Sequence, residues 1–509
     1  MNNNKLHSVG KYLLNIYVGI LFFVMPPFIK SYNYLASEKW LFYSYFSFGF
    51  SFNKIFIPGF LLLIGLCLII EIIFFKYRLE FDVYDLFILL FGLVIYISGK
   101  VSESSYFISS NTQIMIGYPS WYMGEAAQLS FILIYFFVKQ YFECNKRFFD
   151  YVLAVSSIIF FLAILNRFNI DIFGFWDSVM YDIKQQTVST LGNIDWYTCY
   201  LVLHLPISAY CFLYAKSKRE YIFYGAAFSL GILTLVSNGA DSGFFVLIFM
   251  MYLLFKKEDK KVIYLVLIGS LSCCTLGIFQ RVFADVAYIP STLCKISTLS
   301  ILPWIIVVFS VFLLKNDKLY ETFKKIVVIG FPILVVIVVV YIVLNSFNLL
   351  PDFLSIKQSY LYFNDSWGNN RGVIWRMGIS AFINYVKKYF YILFIGCGPD
   401  QYYNMVYKYQ YHELVELRQG VFASCAHNEF INTLCNYGIL GFIFFYGFWA
   451  MLLKKKGNNG KYDRMLKLMI ISYLINSIVS IQTIITAPLL FACAGMLDCK
   501  ENDNKFWLS

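Results

Sequence analysis

The chain is 509 residues long, 60% hydrophobic and 14% charged, with 41 Lys and Arg against 30 Asp and Glu for a formal net charge of +11. So few charges exclude a soluble globular protein, which would carry about a quarter. The positive excess shows no interleaving of basic and aromatic residues suited to nucleic acid, and no Walker loop or glycine-rich dinucleotide fingerprint supports nucleotide-driven chemistry.

Apolar runs recur in chain order at 12–29, 55–75, 86–98, 129–138, 151–165, 197–215, 221–236, 244–255, 262–279, 299–314 and 326–344. Three more follow a long polar stretch, at 431–453, 468–481 and 487–497. About 18 or more apolar residues cross a hydrocarbon core of roughly 30 Å. Backbone groups in lipid must be satisfied within the segment, so these runs are helices. The expectation is an all-α integral membrane protein with about 14 transmembrane helices, or 12–14 because several runs are short. The first run has few preceding positive charges and no small-residue cleavage site, so it is read as a retained span.

Charge sets the orientation. With Lys5 and Lys11 cytoplasmic, the alternate loops carry Lys76 and Arg78, then Lys139, Lys146 and Arg147, then Lys216, Lys218 and Arg219. Lys256, Lys257, Lys260, Lys261, Lys315, Lys318, Lys324 and Lys325 continue the pattern. Lys454, Lys455, Lys456, Lys461, Arg464, Lys467, Lys500 and Lys505 complete it, for 26 of the 41 basic residues. Every short basic cluster falls on one side, as the positive-inside rule requires. Both termini are therefore expected in the cytoplasm, and the net charge is a topology signal.

This divides the chain into N-terminal spans (1–347), a long extracytoplasmic loop (348–430) and C-terminal spans (431–509). A loop of about 80 residues is too long for a mere connection. Within it, 371–388 has Ile374, Gly378, Ala381, Phe382, Tyr385 and Tyr389 on one helical face, predicting an amphipathic helix along the membrane surface. Gly396-Cys397-Gly398-Pro399-Asp400 predicts a tight turn. Cys397 and Cys425 both fall in this loop, where a disulfide and a packing role are both open. No Cys or His spacing suits zinc, so no metal is expected.

The loop ends at His427-Asn428-Glu429-Phe430, where polar sequence meets an apolar helix. A helix N-terminus disfavours imidazolium, leaving a neutral base that can take a proton from a sugar hydroxyl. A histidine here can equally cap the helix. Arg371 and Arg376 flank Trp375, and guanidinium forks grip phosphate oxygens. They could hold a lipid-linked diphosphate or anchor headgroups. Asn428 and Glu429, beside His427, join the two arginines as expected substrate-binding residues. Asn428, Asn432 and Asn436 form an i, i+4, i+8 stripe, read mainly as glue between helices. Asn193, Asp195, Asp241 and Ser242 lie at outside helix ends, where they cap helices or meet polar substrate. Glu71 is read as snorkelling or paired and His204 as a satisfied interior histidine.

Taken in order, these motifs resemble those of the O-antigen ligase and polymerase superfamily of bacterial membrane glycosyltransferases. Ala426-His427-Asn428-Glu429-Phe430 followed by Tyr437-Gly438-Ile439-Leu440-Gly441 is similar to the family's His-Asn motif and Gly-x-x-Gly helix. Arg371 through Trp375, with Gly396-Cys397-Gly398-Pro399, resembles its Arg-x-x-x-Trp and Gly-x-Gly-Pro pair. Thr190-Leu191-Gly192-Asn193 leading to Pro206 resembles its Gly-Asn span motif, and 117–128 resembles segments of Gram-positive members. The resemblance covers roughly 190–441. It implies a GT-C-like, metal-independent enzyme without cofactor that polymerises or ligates undecaprenyl-diphosphate-linked surface polysaccharide, of O-antigen, capsule or exopolysaccharide type. The implied partners are that donor, a glycan or lipid acceptor, membrane lipids, and a flippase and chain-length regulator. His427 would activate the acceptor and Arg371 would engage the diphosphate, with Arg376 a weaker match. The turn Ser237-Asn238-Gly239-Ala240-Asp241 lacks a second arginine common in the family.

The rival reading is a flippase or transporter of the same lipid-linked sugars. A transporter places charge along a central path and shows repeated halves, whereas this sequence concentrates polarity in one outside loop. A reporter joined within 402–411 is expected to be active only outside the cytoplasm, and cytoplasmic activity would overturn the orientation.

Overall fold

The computed structural model describes residues 3–27, 44–75, 81–102, 111–117, 122–174, 176, 187–357, 359–418, 423–455 and 461–499. Lys76, Arg78, Trp121, Lys456, Lys500, Lys505 and the end of the first apolar run lie outside them. α1 (Asn3–Gly19) runs into a π-helical turn (Ile20–Val24), followed by α2 (Ser44–Phe75), α3 (Val83–Val101) and α4 (Asn111–Ile116). α5 (Glu125–Tyr141) and α6 (Lys146–Arg167) precede a two-residue ladder, β1 (Thr187–Val188) against β2 (Gly192–Asn193). Then come α7 (Ile194–Leu213), α8 (Lys218–Asn238), α9 (Asp241–Lys257) and α10 (Val262–Val282). The bent pair α11 (Thr292–Leu299) and α12 (Leu302–Lys315) leads to the long α13 (Asp317–Ser346). The loop holds α14 (Trp367–Lys388), α15 (Ile392–Ile395) and α16 (Tyr402–Arg418). α17 (Glu429–Lys454), α18 (Lys461–Asn476) and α19 (Ala487–Asp498) follow.

All 14 apolar runs coincide with helices, but length separates them. Among the described residues nine helices are long and apolar enough to span a membrane, or ten if α11 and α12, bent by 52°, form one span. α5 and α9 have 17 residues, α18 has 16 and α19 has 12, all below the roughly 20 that a straight crossing needs. Among the described residues the architecture is all-α apart from the short β1–β2 ladder. The ladder pairs Thr187 with Asn193 and Val188 with Gly192 around a turn with positive φ at Ser189 (55°) and Gly192 (79°).

α7 is the axis of the bundle, buried along nearly its whole length and packed by α6, α8, α9 and α18. α13 is the opposite case, a 30-residue helix whose apolar side chains face outward. His204 of α7 places Nδ1 2.7 Å from the Tyr200 carbonyl and stacks on the Tyr200 ring, so it sits as an interior histidine. Glu71 is fully buried and meets His7 Nδ1 at 3.2 Å.

The long loop is itself a folded unit with a separate core. Val373, Ile374, Met377, Ala381, Phe382 and Tyr385 of α14 pack with Tyr402, Met405 and Val406 of α16 and with Ala426 and Cys435. The apolar face of the amphipathic helix is thus covered by protein, where the sequence suggested the membrane surface. Three residues, Gly368, Asn369 and Asn370, have left-handed backbone, so regular helix begins at Arg371. Asn345 at the end of α13 donates to the Ile356 and Leu361 carbonyls (both 2.8 Å), tying the start of the loop to the bundle. Cys397 and Cys425 are both buried and are not joined by a disulfide.

At the opposite end, where the basic clusters lie, Lys139 is buried among carboxylates. Its Nζ is 2.6 Å from Asp85 Oδ2, 2.7 Å from Asp498 Oδ2 and 3.7 Å from Asp82 Oδ2. Lys455 also pairs with Asp498, and the Tyr84 and Tyr135 hydroxyls donate to Asp498. The three carboxylates are close enough to hold a metal ion, and two ammonium groups already offset two of their three charges. The cluster fastens α3, α5 and α19 together. Lys139→Met would leave buried carboxylates uncompensated and is expected to cost about 3–5 kcal/mol. The expected readout is a lower unfolding temperature in detergent, and an unchanged midpoint would show that the cluster is solvated.

Candidate functional site

The site forms where α14, α15 and the Gly396–Pro399 turn meet α17. α17 is kinked at Gly438, whose φ and ψ are 65° and −167°. A break there frees carbonyls in the preceding turn, and unpaired carbonyls in a buried place are costly. The Gly396–Pro399 turn supplies the partners: Cys397 N–H donates to the Cys435 carbonyl and Gly398 N–H to the Asn436 carbonyl, both at 2.9 Å. Ser98 Oγ also donates to the Asn436 carbonyl at 3.1 Å, and Asn436 Oδ1 accepts from Gln401 N–H at 3.2 Å. The two backbones approach so closely that side chains are excluded. A Cβ on Gly396 would lie 2.3 Å from the Asn436 backbone, and one on Gly438 would lie 2.4 Å from that of Phe394. The Gly-x-Gly-Pro and Gly-x-x-Gly motifs are therefore two halves of one contact.

His427 stands just before α17 with φ +47°. The cap is Asn428, whose side-chain oxygen accepts from Ile431 N–H at 3.1 Å. This leaves the histidine ring outside the cap, half-buried in the approach to the helix. Its backbone N–H reaches the Cys425 sulfur, and burial pushes that thiol up to about 12. Glu429 is buried and internally engaged. Oε1 accepts from Thr433 Oγ1 at 3.2 Å, Oε2 accepts from Gln482 N–H at 2.9 Å, and Glu429 N–H donates to the Ser477 carbonyl at 2.9 Å. Asn428 and Glu429 thus position the loop, with their side chains facing protein.

Trp375 joins the two halves of the sequence constellation. Its indole N–H donates to the Ala426 carbonyl at 2.9 Å, directly before His427. Arg371 precedes Trp375 by four residues and so lies about one turn along the same face of α14. Arg371 NH2 is 2.9 Å from Asp195 Oδ2 at the start of α7, and NH1 donates to the Gly368 carbonyl at 3.0 Å. Next to this pair, the Tyr360 hydroxyl donates to Asp241 Oδ2 at 2.6 Å. Burial, and then Asp241, hold the Tyr360 phenol above its ordinary range. Asn193 accepts from Asp195 N–H at 2.8 Å and serves as the α7 cap.

Arg376 is placed differently. Its guanidinium grips Asp365 in a two-pronged pair (2.9 and 2.8 Å) and also meets Glu413 Oε1 at 2.6 Å. Those carboxylates raise the Arg376 pKa, and Arg376 holds Asp365 below the usual carboxylate range. Arg376 joins α14 to α16, and its fork is filled on both sides.

The turn after α8, which has no arginine of its own, receives one from α6. Arg167 is 3% exposed, donates to the Asn238 carbonyl, and stacks its guanidinium 5.6 Å from the Tyr288 ring centre. Asn238 in turn donates to Thr198 Oγ1 at 2.9 Å in the first turns of α7, so Arg167, Asn238 and Asp195 share one corner of the bundle. Sequence reasoning did not select Arg167 or Tyr360. Each lies at a helix end or in a loop without a motif, and only the fold brings them beside Asp195 and Asp241.

Residues 282–446 match the family model described as O-antigen ligase, about a third of the chain. The matched stretch contains Arg371, Trp375, the Gly396–Pro399 turn, His427 and Gly438. This stretch is therefore similar to the O-antigen ligase domain, in line with the superfamily that the motifs resemble. No curated protein matches the chain. Asp195, Arg167 and Asn238 fall before the matched stretch, so the corner that receives Arg371 is built by the preceding helices.

Trp375→Phe keeps an aromatic ring among Phe363 and Trp367 but removes the donor to the Ala426 carbonyl. Losing one such bond, about 1–1.5 kcal/mol, is expected to lower turnover roughly tenfold with the protein still folded in the membrane. Turnover equal to the parent would show that this bond does not set the position of His427.

Proposed function

We propose that this chain is a membrane glycosyltransferase that ligates or polymerises surface polysaccharide at the outer face of the cytoplasmic membrane. In this reading the donor is a glycan on an undecaprenyl diphosphate. Its lipid enters sideways between the bundle and the loop, and the acceptor approaches from outside. The observation that carries the reading is the Trp375–Ala426 hydrogen bond, which ties the helix of Arg371 to the loop of His427.

The chemistry follows from the two side chains. His427 takes the proton of an acceptor hydroxyl as that oxygen attacks the anomeric carbon of the donor sugar. The bond from that carbon to the diphosphate oxygen breaks, and the diphosphate leaves with the electron pair. Arg371 stabilises the growing negative charge on the leaving oxygens, with a fork that suits phosphate geometry. Donor binding exchanges the Asp195 carboxylate for diphosphate at Arg371, which keeps the guanidinium paired in both states. Arg167 adds a second guanidinium at the same corner, fixed on the Asn238 carbonyl. Arg376, with its fork already filled, holds the loop in shape.

The flippase reading has weaker support, because Arg371, Asp195, Asp241 and Arg167 gather at one corner beside the loop of His427 rather than being spread along the bundle. His427→Ala is expected to lower product formation by at least about a hundredfold while the protein stays in the membrane. Arg371→Lys, which keeps the charge but loses the fork, is expected to lower turnover by about tenfold or more. Product analysis of lipid-linked glycans is the measurement. Single repeat units accumulate if polymerisation is lost, and long chains accumulate on the carrier if ligation is lost. Normal product from His427→Ala would remove the base.

A further inference from the structure

A cleft of about 260 Å³ opens far from this site, between α1 and the turn that joins α5 to α6. One wall is a stripe on α1, Lys11, Asn15, Gly19 and Phe23, spaced four residues apart along one helix face. The other wall is Arg147 and Tyr151 of α6, with Phe142 and Phe148 behind them. The cleft is polar at one end, where Lys11, Asn15, Asn145 and Arg147 meet, and apolar at the other, where Val18, Gly19 and Phe23 face Tyr151. Tyr151 is 62% exposed, so the apolar end opens onto the outside of the bundle.

Charge and length together specify an occupant. Lys11 pairs with Glu143 at 2.5 Å, and Arg147 is exposed and makes no ion pair among the described residues. With two cations and one carboxylate, the lining carries one net positive charge, which matches a single phosphodiester. The stripe from Lys11 to Phe23 is roughly 18 Å long at 1.5 Å per residue. That is close to the hydrocarbon depth of one leaflet, roughly half of 30 Å. The position suits a lipid as well, because Lys139, Lys146 and Arg147 mark this as the basic end of the bundle, and basic recesses between helices at that level hold anionic headgroups. Gly19 keeps the apolar half open: a Cβ there would meet nothing closer than the Phe23 ring at 3.8 Å.

We infer that this cleft binds one anionic phospholipid of the leaflet on the basic side, with its phosphodiester between Lys11 and Arg147 and an acyl chain along Gly19 and Phe23. The site is separate from the His427 chemistry and does not depend on it. The test uses the full chain, purified in neutral detergent and mixed with phosphatidylglycerol, phosphatidylcholine or glycerol 3-phosphate. Retained molecules are counted by native mass spectrometry and the unfolding temperature is followed. Phosphatidylglycerol is expected to be retained and to raise the unfolding temperature, while the other two do neither. Arg147→Gln is expected to weaken retention about tenfold or more, as for loss of a hydrogen bond to a charged group. Gly19→Leu lies in helical backbone with open space before it, so it is expected to fold normally and lose the lipid. Equal retention of phosphatidylglycerol and phosphatidylcholine, or unchanged retention in both variants, would overturn the inference. Retention of glycerol 3-phosphate as tight as that of the lipid would also overturn it, by assigning the cleft to a free phosphate.

Discussion

The contact between Gly396 and Gly438 is the constraint on which the candidate site depends. α17 breaks at Gly438, and the carbonyls of Cys435 and Asn436 take N–H groups from the Gly396–Pro399 turn. Without the break, those carbonyls would belong to the helix ladder and the turn would have no place to dock. Without glycine at both positions, the backbones could not come close enough to make the bonds. The turn carries α15 and α16 on either side of it, so this contact sets how the loop core sits over the start of α17. His427 and Arg371 inherit their positions from it.

Both arginines of α14 in the candidate site are met by carboxylates. Arg371 faces Asp195, and Arg376 faces Asp365 and Glu413. Paired charges of this kind avoid the penalty of an isolated ion in a poorly solvated place. The pairs differ in what they free for substrate. Arg376 is held by two carboxylates in a geometry that fills its fork, while Arg371 has one carboxylate and one backbone carbonyl. Of the two guanidiniums, Arg371 is the one less fully occupied by protein carboxylates.

Much of this architecture is legible in the sequence. Hydropathy locates all 14 apolar helices, and the start of regular helix at Arg371 follows from the spacing of Ile374, Gly378 and Ala381. The site is legible where residues are local in sequence: His427 beside Asn428, and Arg371 one turn from Trp375. The spanning count is less so, because short apolar runs such as 487–497 count as crossings by hydropathy, while the helix there has only 12 residues. Nor can helical spacing tell which partner covers an apolar face. The face of α14 reads as lying on the membrane surface, yet it is covered by Tyr402, Met405 and Val406 of α16. Glu429 reads as a candidate ligand through its neighbour, whereas only the fold reveals Gln482 and Thr433 on its two oxygens. The Arg371–Asp195 and Arg167–Asn238 pairings join residues 176 and 71 positions apart, beyond any local pattern.

The 176-residue separation between Asp195 and Arg371 also orders the birth of the protein. During synthesis α7 enters the membrane with its carboxylate well before the loop that carries the guanidinium exists, and α17 comes later still. The Asp195 carboxylate is therefore without its loop guanidinium through the insertion of α8 to α13. Closure waits for the long loop to fold back onto helices made earlier. The pair works as a late-closing fastener between early and late parts of the site, and a nascent chain released before α14 has Asp195 without its partner.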